Sequence, residues 1–368
     1  MGVETVLDEL ENMGVDGLQL ALSYHVASFV TPRNPRSRVR HGGPGTVSLR
    51  LGKRARGILP TVDEAAADAV PSILRGAADR HIQVIAWLVF LYNHDLASRY
   101  PHLAVRNAFG DAHPAQLCPS QAAVREYVLE VTSKALELGA ENGGVTGLHA
   151  ESLSFLPWDY GLTGLKAAVT VDRPTGRLLS LCFCSACRRR AQRADMDPDR
   201  LATKARARVD TGLAEGEQSI DQVTSDVAAY EAQMDDATFE VNHEVYELTR
   251  ANDVRFSTTA AEAHMTDLEP TSPSSVRPLV DEVRVKVGPG ATAEELAALT
   301  DTGLAGCRPG THVFAQYQLH RFPGFEGLAH AISAASAAGI EHHRFYEHSV
   351  LAERHMEWLR QVRRLVPA

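Results

Sequence analysis

Three of the five cysteines fall within six residues, as Cys182-Phe-Cys184-Ser-Ala-Cys187, with Cys118 upstream and Cys307 far downstream. Thiolates packed this closely suit a metal ion better than disulfides when no secretory leader is apparent. Zn(II) accepts four thiolates in a tetrahedral, redox-inert, structural site. Cys118, Cys182, Cys184 and Cys187 are therefore the expected ligands, and the adjacent Arg188, Arg189 and Arg190 would offset the negative charge of a four-thiolate centre. The competing reading is that these cysteines are small buried hydrophobes. A second kind of chemistry sits in polar and aromatic residues that close short apolar runs: Tyr24 and His25; Asn93, His94 and Asp95; Glu151; Thr259 and Glu262; Lys286; Gln316 and Gln318; Tyr346, Glu347 and His348.

The apolar runs read as strands at 17–23, 82–91, 146–153, 254–258, 282–287, 312–317 and 341–346. Helical stretches lie between them. The clearest is 120–138, where Ser120 can cap and Val124, Tyr127, Val128, Val131, Ala135 and Leu138 share a face. Thr292 with Glu295 forms a capping box for another, and 328–338 and 350–365 are two more. Strands alternating with helices of this length indicate βαβ units and a parallel sheet. The expected fold class is α/β, a (β/α)8 TIM-type barrel over 1–368 in one domain. Only seven strands are visible, and the chain opens on a helix, so the barrel lacks or replaces its first strand. A doubly wound open sheet is the alternative, but no glycine fingerprint follows an early strand. Catalytic groups of such barrels sit at the C-terminal strand ends, which is where the polar residues named above fall.

The C-x-C-x2-C cluster joined by one earlier cysteine resembles the zinc cluster of the bacterial β-galactosidases of glycoside hydrolase family forty-two, which are (β/α)8 enzymes. The segment Gln116-Leu-Cys118-Pro-Ser120, then a helix, then Leu148-His-Ala-Glu151-Ser, then Cys182-Phe-Cys184, also resembles uncharacterised glycosidase-like barrel proteins. With a leading strand missing, the strand carrying Glu151 counts as the fourth, where the resembling enzymes hold their general acid. A carboxyl there needs a raised pKa, for which Leu153 and Phe155 are the expected apolar neighbours. Trp158 and Tyr160 could supply an aromatic platform for a sugar ring. The resembling galactosidases place a nucleophilic Glu at the end of the seventh strand; here that strand reads Val313-Phe-Ala-Gln316-Tyr-Gln318, without a carboxylate. Glu347 is the best substitute, followed by Glu262, Asp159 and Asp281. The resemblance thus implies a glycoside hydrolase with Glu151 and Glu347 as catalytic residues. Tyr24, His25, Arg33, Asn93, His94, Trp158, Tyr160, Gln316, Tyr346 and His348 are the residues expected to bind substrate. Two other readings stand beside it. His25, His94, His149 and His348 with Glu151 and Glu347 could hold a divalent metal, as in barrel sugar isomerases and epimerases. Alternatively, loss of the seventh-strand carboxylate leaves a barrel that binds sugar without cleaving it.

The chain has 37 Lys and Arg against 46 Asp and Glu, a net charge of −9, which disfavours nucleic-acid binding through a general basic field. Eight cations and no acids lie at 26–61 (Arg33, Arg36, Arg38, Arg40, Arg50, Lys53, Arg54 and Arg56). This long Pro-, Arg- and Gly-rich connection over the expected mouth could grip a carboxylate or phosphate of an anionic substrate, or serve assembly. Residues 188–252 form a polar helical insertion, either a subdomain or a homo-oligomer contact. No apolar run approaches the roughly 20 residues of a membrane span, and the N-terminus reads as a helix start. The expectation is a cytoplasmic protein with no membrane partner, acting on a small-molecule or oligosaccharide substrate.

Overall fold

The computed structural model describes residues 2–51, 58–162, 165–215, 225–262, 273–363 and 365. All seven expected strands form: β1 Gly17–Tyr24, β2 Gln83–Val89, β3 Gly147–Glu151, β4 Arg255–Thr258, β5 Glu282–Val287, β6 His312–Gln318 and β7 His342–Tyr346. Every pairing between chain neighbours in β1–β2–β3–β4 and in β5–β6–β7 is parallel. The helices are α1 Val3–Asn12, α2 Glu64–Asp79, α3 His94–Arg99, α4 Ala122–Glu141, α5 Arg173–Leu179, α6 Ser185–Arg193, α7 Pro198–Glu215, α8 Ser225–Ala251, α9 Ala293–Leu304, α10 Phe325–Ala337 and α11 Glu353–Val362. The seven strands belong to two sheets rather than one continuous ladder. At one junction the Asp281 N–H donates to Phe256 O and its carboxylate accepts from Phe256 N–H, each at 2.8 Å. At the other, the Tyr24 and Tyr346 hydroxyls meet at 2.9 Å.

The run Glu282-Val-Arg-Val-Lys-Val shows how the strands are dressed. Successive strand residues face opposite sides. Val283, Val285 and Val287 join the main core, where a Cβ on Gly303 of α9 would lie 3.2 Å from Val283. On the opposite face Glu282 is buried and Arg284 half-buried, while Lys286 is exposed. Glu282 pairs with Arg344 of β7 at 2.6 Å and Arg255 of β4 at 3.1 Å, and Arg284 pairs with Glu262 at 2.5 Å. Burying such charges is tolerated only because each has a partner. The polar alternation that elsewhere marks a solvent face here marks a face of ion pairs between neighbouring strands.

Helix α4 begins at Ala122, after Gln121, rather than being capped by Ser120; the Ser120 hydroxyl lies 3.4 Å from the Cys187 sulfur. The capping box at Thr292 is present, with Glu295 accepting from Thr292 N–H at 3.0 Å and Thr292 Oγ1 from Glu295 N–H at 3.2 Å. The 26–61 connection is not structureless. It carries an antiparallel ribbon, Ser28–Val30 against Val39–His41, and a short strand Thr46–Val47 antiparallel to β1, on whose far side Thr61–Val62 pairs in parallel. Lys53, Arg54 and Arg56 lie outside the described residues.

A second apolar cluster surrounds the four cysteines. Helix α8 joins the two: Val227, Tyr230, Met234 and Ala237 enter the cysteine cluster, and Val241 and Val245, further along the same helical face, enter the main core. The excursion at 188–252 is thereby built into the body rather than hung from it. Tyr230 anchors it, its ring stacked on Phe183 at 4.9 Å and its hydroxyl donating to Cys182 O at 2.7 Å. Tyr230→Phe keeps the stack and removes the hydrogen bond. It is expected to cost about 1–3 kcal/mol, because the Cys182 carbonyl loses a buried partner, read as a lower denaturant midpoint with an unchanged m-value.

Candidate functional site

The strand ends of β1, β2, β3 and β7 bring together an aromatic group around one carboxylate. Trp87 sits on β2 with its ring edge-on to Tyr24 at 5.2 Å and to Tyr346 at 6.0 Å. Tyr24 stacks on His25 at 4.4 Å; Tyr92 lies 5.5 Å from His25, 5.2 Å from His94 and 5.2 Å from Tyr160. The Trp87 indole N–H donates to Glu151 Oε2 at 2.8 Å. Glu151 ends β3, and the chain turns at once: Ser152 adopts a left-handed φ of 55° and donates its N–H to Thr259 Oγ1 at 3.0 Å. A non-glycine residue held so is mildly strained and marks an over-determined position. Burial pushes the Tyr24 phenol up to about 12, with the charges of Glu347 and Glu151 adding to it, so this hydroxyl is a neutral donor at physiological pH. Burial likewise pushes Tyr346 up.

One layer deeper, Arg284 donates to Gln316 Oε1 at 3.2 Å as well as to Glu262. Burial raises the Glu262 carboxyl against the pull of Arg284. His149 lies beside Trp87 in the strand register, bonds Ser257 Oγ at 3.0 Å, and is kept neutral by burial and by the nearby Arg284 and Arg344 cations. Trp87, Tyr92 and Arg284 were not singled out in the sequence. Trp87 lies within a continuous apolar run that reads as core, whereas the E-V-R-V-K-V alternation of β5 was a usable signal for a charged face.

Tyr24, His25, His94, Glu151, Tyr160 and Tyr346 share this neighbourhood; several other expected residues do other work. Asn93 is 3% exposed and caps α3, its Oδ1 accepting from Leu96 N–H at 2.9 Å while its amide donates to Gly45 O at 3.1 Å. Gly45, at φ +116°, leaves no room there for a side chain. Trp158 stands apart from the aromatic group, against Gly176 of α5, where a Cβ would lie 3.1 Å from its Nε1. Arg33 forks onto both Glu9 carboxylate oxygens at 2.7 and 2.8 Å and donates to His348 Nε2 at 2.8 Å, tying the long loop to α1 and to the segment after β7. Arg40 pairs with Asp63, and Arg50 with Glu64 and Asp68. Much of the basic loop is therefore neutralised by the helices beside it. The Glu347 Oε1 accepts from Ser349 at 2.7 Å. Asp281 lies just before β5, at the opposite end from the site, and pairs with Arg308. Asp159 is exposed. Leu153 and Phe155 are buried in the main and cysteine clusters respectively; the apolar surroundings of Glu151 come from Trp87 and its aromatic partners instead. Among the described residues the four histidines do not converge with the carboxylates: the single group of three or more possible metal ligands is the cysteine set.

Cys118 follows the short strand Ala112–Leu117, while Cys182, Cys184 and Cys187 lie between α5 and the first turns of α6. All four are buried and unpaired by disulfides, and their sulfurs lie within 4.8 Å of one another. The Cys118 sulfur is 3.5 Å from Cys184 and Cys187 and 3.8 Å from Cys182. A tetrahedron of thiolates at about 2.3 Å from Zn(II) has edges of about 3.8 Å, so the donor set fits one ion. The flanking arginines serve other partners: Arg188 pairs with Asp199 and Arg190 with Glu240, while Arg189 is exposed. Their offset of the thiolate charge is correspondingly reduced.

Neither a protein-family model nor a curated protein matches this chain. Solved structures do. An α-L-fucosidase, isoenzyme 2 from Paenibacillus thiaminolyticus, aligns over 98% of this chain and 45% of its own, with 11% identity and a TM-score of 0.54. A β-galactosidase from the psychrophilic Marinomonas ef1 aligns over 98% of this chain and 56% of its own, with 9% identity and a TM-score of 0.56. A cold-adapted β-galactosidase from Rahnella sp. R3 aligns over 99% and 54%, with 10% identity and a TM-score of 0.54. The fold is glycosidase-like. At these identities the likeness concerns the fold, and the chain spans about half the length of these structures.

Proposed function

We propose that the two sheets form one TIM-type barrel that lacks or replaces its first strand, and that the protein is a glycoside hydrolase-like enzyme using Glu151 as general acid and Glu347 as the second carboxylate. The single observation that carries this reading is the position of Glu151: at the C-terminal end of β3, held by Trp87, against whose ring Tyr24 and Tyr346 pack, on a glycosidase-like fold. Aromatic faces suit the apolar faces of sugar rings, and the neutral phenols can donate to sugar hydroxyls. In the reaction Glu151 protonates the glycosidic oxygen as the bond to the anomeric carbon breaks. Glu347, whose charge acts on the same Tyr24 hydroxyl as that of Glu151, serves as base or nucleophile on the other side. Gln316 stays a neutral group, occupied by Arg284.

The four cysteines fit a structural Zn(II), which would cross-link the segment before α4 to the loop between α5 and α6. It lies in the second apolar cluster and enters no step of the reaction. The long basic loop over the mouth can still address an anionic group on the substrate through Arg36, which is not among the paired arginines of the described residues. The dispersed histidines do not favour the isomerase reading.

A panel of β-galactosides and α-L-fucosides, neutral and uronate-bearing, tests the proposal. Hydrolysis of at least one is expected. Binding detected by tryptophan fluorescence, with no turnover on any, would assign the protein to sugar binding without cleavage.

A further inference from the structure

We infer that Trp87 is the positioning residue for Glu151, and that its indole N–H makes Oε1 the oxygen that carries and delivers the proton. The inference rests on the reading of Glu151 as the acid. An indole N–H donates and never accepts. At 2.8 Å from Nε1, Glu151 Oε2 is the acceptor, and because the carbonyl oxygen of a carboxyl group accepts better than its hydroxyl oxygen, the indole favours the proton on Oε1. The acid form of Glu151 therefore favours Oε1 as its hydroxyl oxygen.

Both ends of Glu151 are fixed. Its backbone carbonyl accepts from Phe90 N–H at 3.0 Å, and the left-handed Ser152 that follows is bonded to Thr259. Its carboxylate is held by an indole that cannot swing freely, because the rings of Tyr24 and Tyr346 abut it and are themselves joined at 2.9 Å. Other charges face the same carboxylate: Glu262 from the end of β4 and Arg284 and Lys286 from β5, while Glu347 after β7 acts on the same Tyr24. These act on its total charge; among the described residues, Trp87 alone donates a side-chain hydrogen bond to one of its two oxygens. When the proton passes from Oε1 to the leaving oxygen, the glycosidic electron pair goes to that oxygen and the carboxyl becomes an anion. The indole bond to an anion is the stronger one, so Trp87 stabilises the charge that develops as the proton leaves.

The test uses the full chain with 15N-labelled indoles, of which there are three. Trp87→Phe identifies the Trp87 resonance by its loss. In Glu151→Gln that resonance is expected to move upfield, because a neutral amide replaces the carboxylate, while those of Trp158 and Trp358 stay in place. A Trp87 resonance indifferent to Glu151→Gln overturns the inference without any activity measurement. On a glycoside that the wild type cleaves, Trp87→Phe is expected to lower kcat about tenfold, with KM and melting temperature nearly unchanged. An unchanged kcat beside a responsive resonance would make the bond merely structural and also overturns the inference. Full turnover in Glu151→Gln, by contrast, removes the reading of Glu151 itself.

Discussion

Glu151→Gln is expected to lower turnover of a glycoside with a poor leaving group by roughly 10²–10⁴-fold, the usual contribution of a positioned general acid. The change is close to isosteric. The amide oxygen can still accept from the Trp87 indole, and Ser152 and Thr259 still set the backbone turn, so folding and ligand affinity are expected to survive. Loss should depend on the leaving group: an activated aryl glycoside departs without protonation and should retain much more of its rate. Steady-state kinetics on paired substrates checks this. Unchanged turnover on the poor leaving group would end the assignment. Uniform loss on both, with loss of ligand binding, would instead indicate a collapsed site.

With the proposed zinc on the four cysteines, stripping it, or removing one thiolate by Cys184→Ser, is expected to lower the melting temperature by about 10 °C, since structural zinc sites contribute several kcal/mol of folding free energy. The four sulfurs are buried at the centre of a cluster that includes Phe155, Phe183, Tyr230 and Met234, and α8 transmits that packing to the main core. Without an ion, four buried thiols at van der Waals separation hold nothing together. Elemental analysis is expected to find one zinc per wild-type chain and none in Cys184→Ser. A metal-free wild type with the same melting temperature would show that these residues are only packing, and a visible charge-transfer band would show iron in place of zinc.

Local order along the chain was legible because it is written in short-range terms. The seven strands are apolar runs whose neighbours along the sheet are also strands, and the Thr292–Glu295 box needs four consecutive residues. The cysteine set was legible too, since three of its members fall within six residues and only Cys118 had to be matched at a distance. Side-chain employment was not. Arg33 looked available for a substrate because its partner Glu9 lies on another element, and Asn93 looked like a site residue because an N-cap and a ligand contact demand the same side-chain chemistry.

From the residues alone came the alternation of strands and helices, the thiolate set and the carboxylate that closes β3. Those depend on periodicity and spacing, which a linear chain carries in full. Tertiary structure decided which face of β5 holds its charges, which ring grips Glu151, and how α8 belongs to two cores at once. Such pairings join residues tens of positions apart or more, and their energies arise only when distant elements are packed together in poorly solvated surroundings.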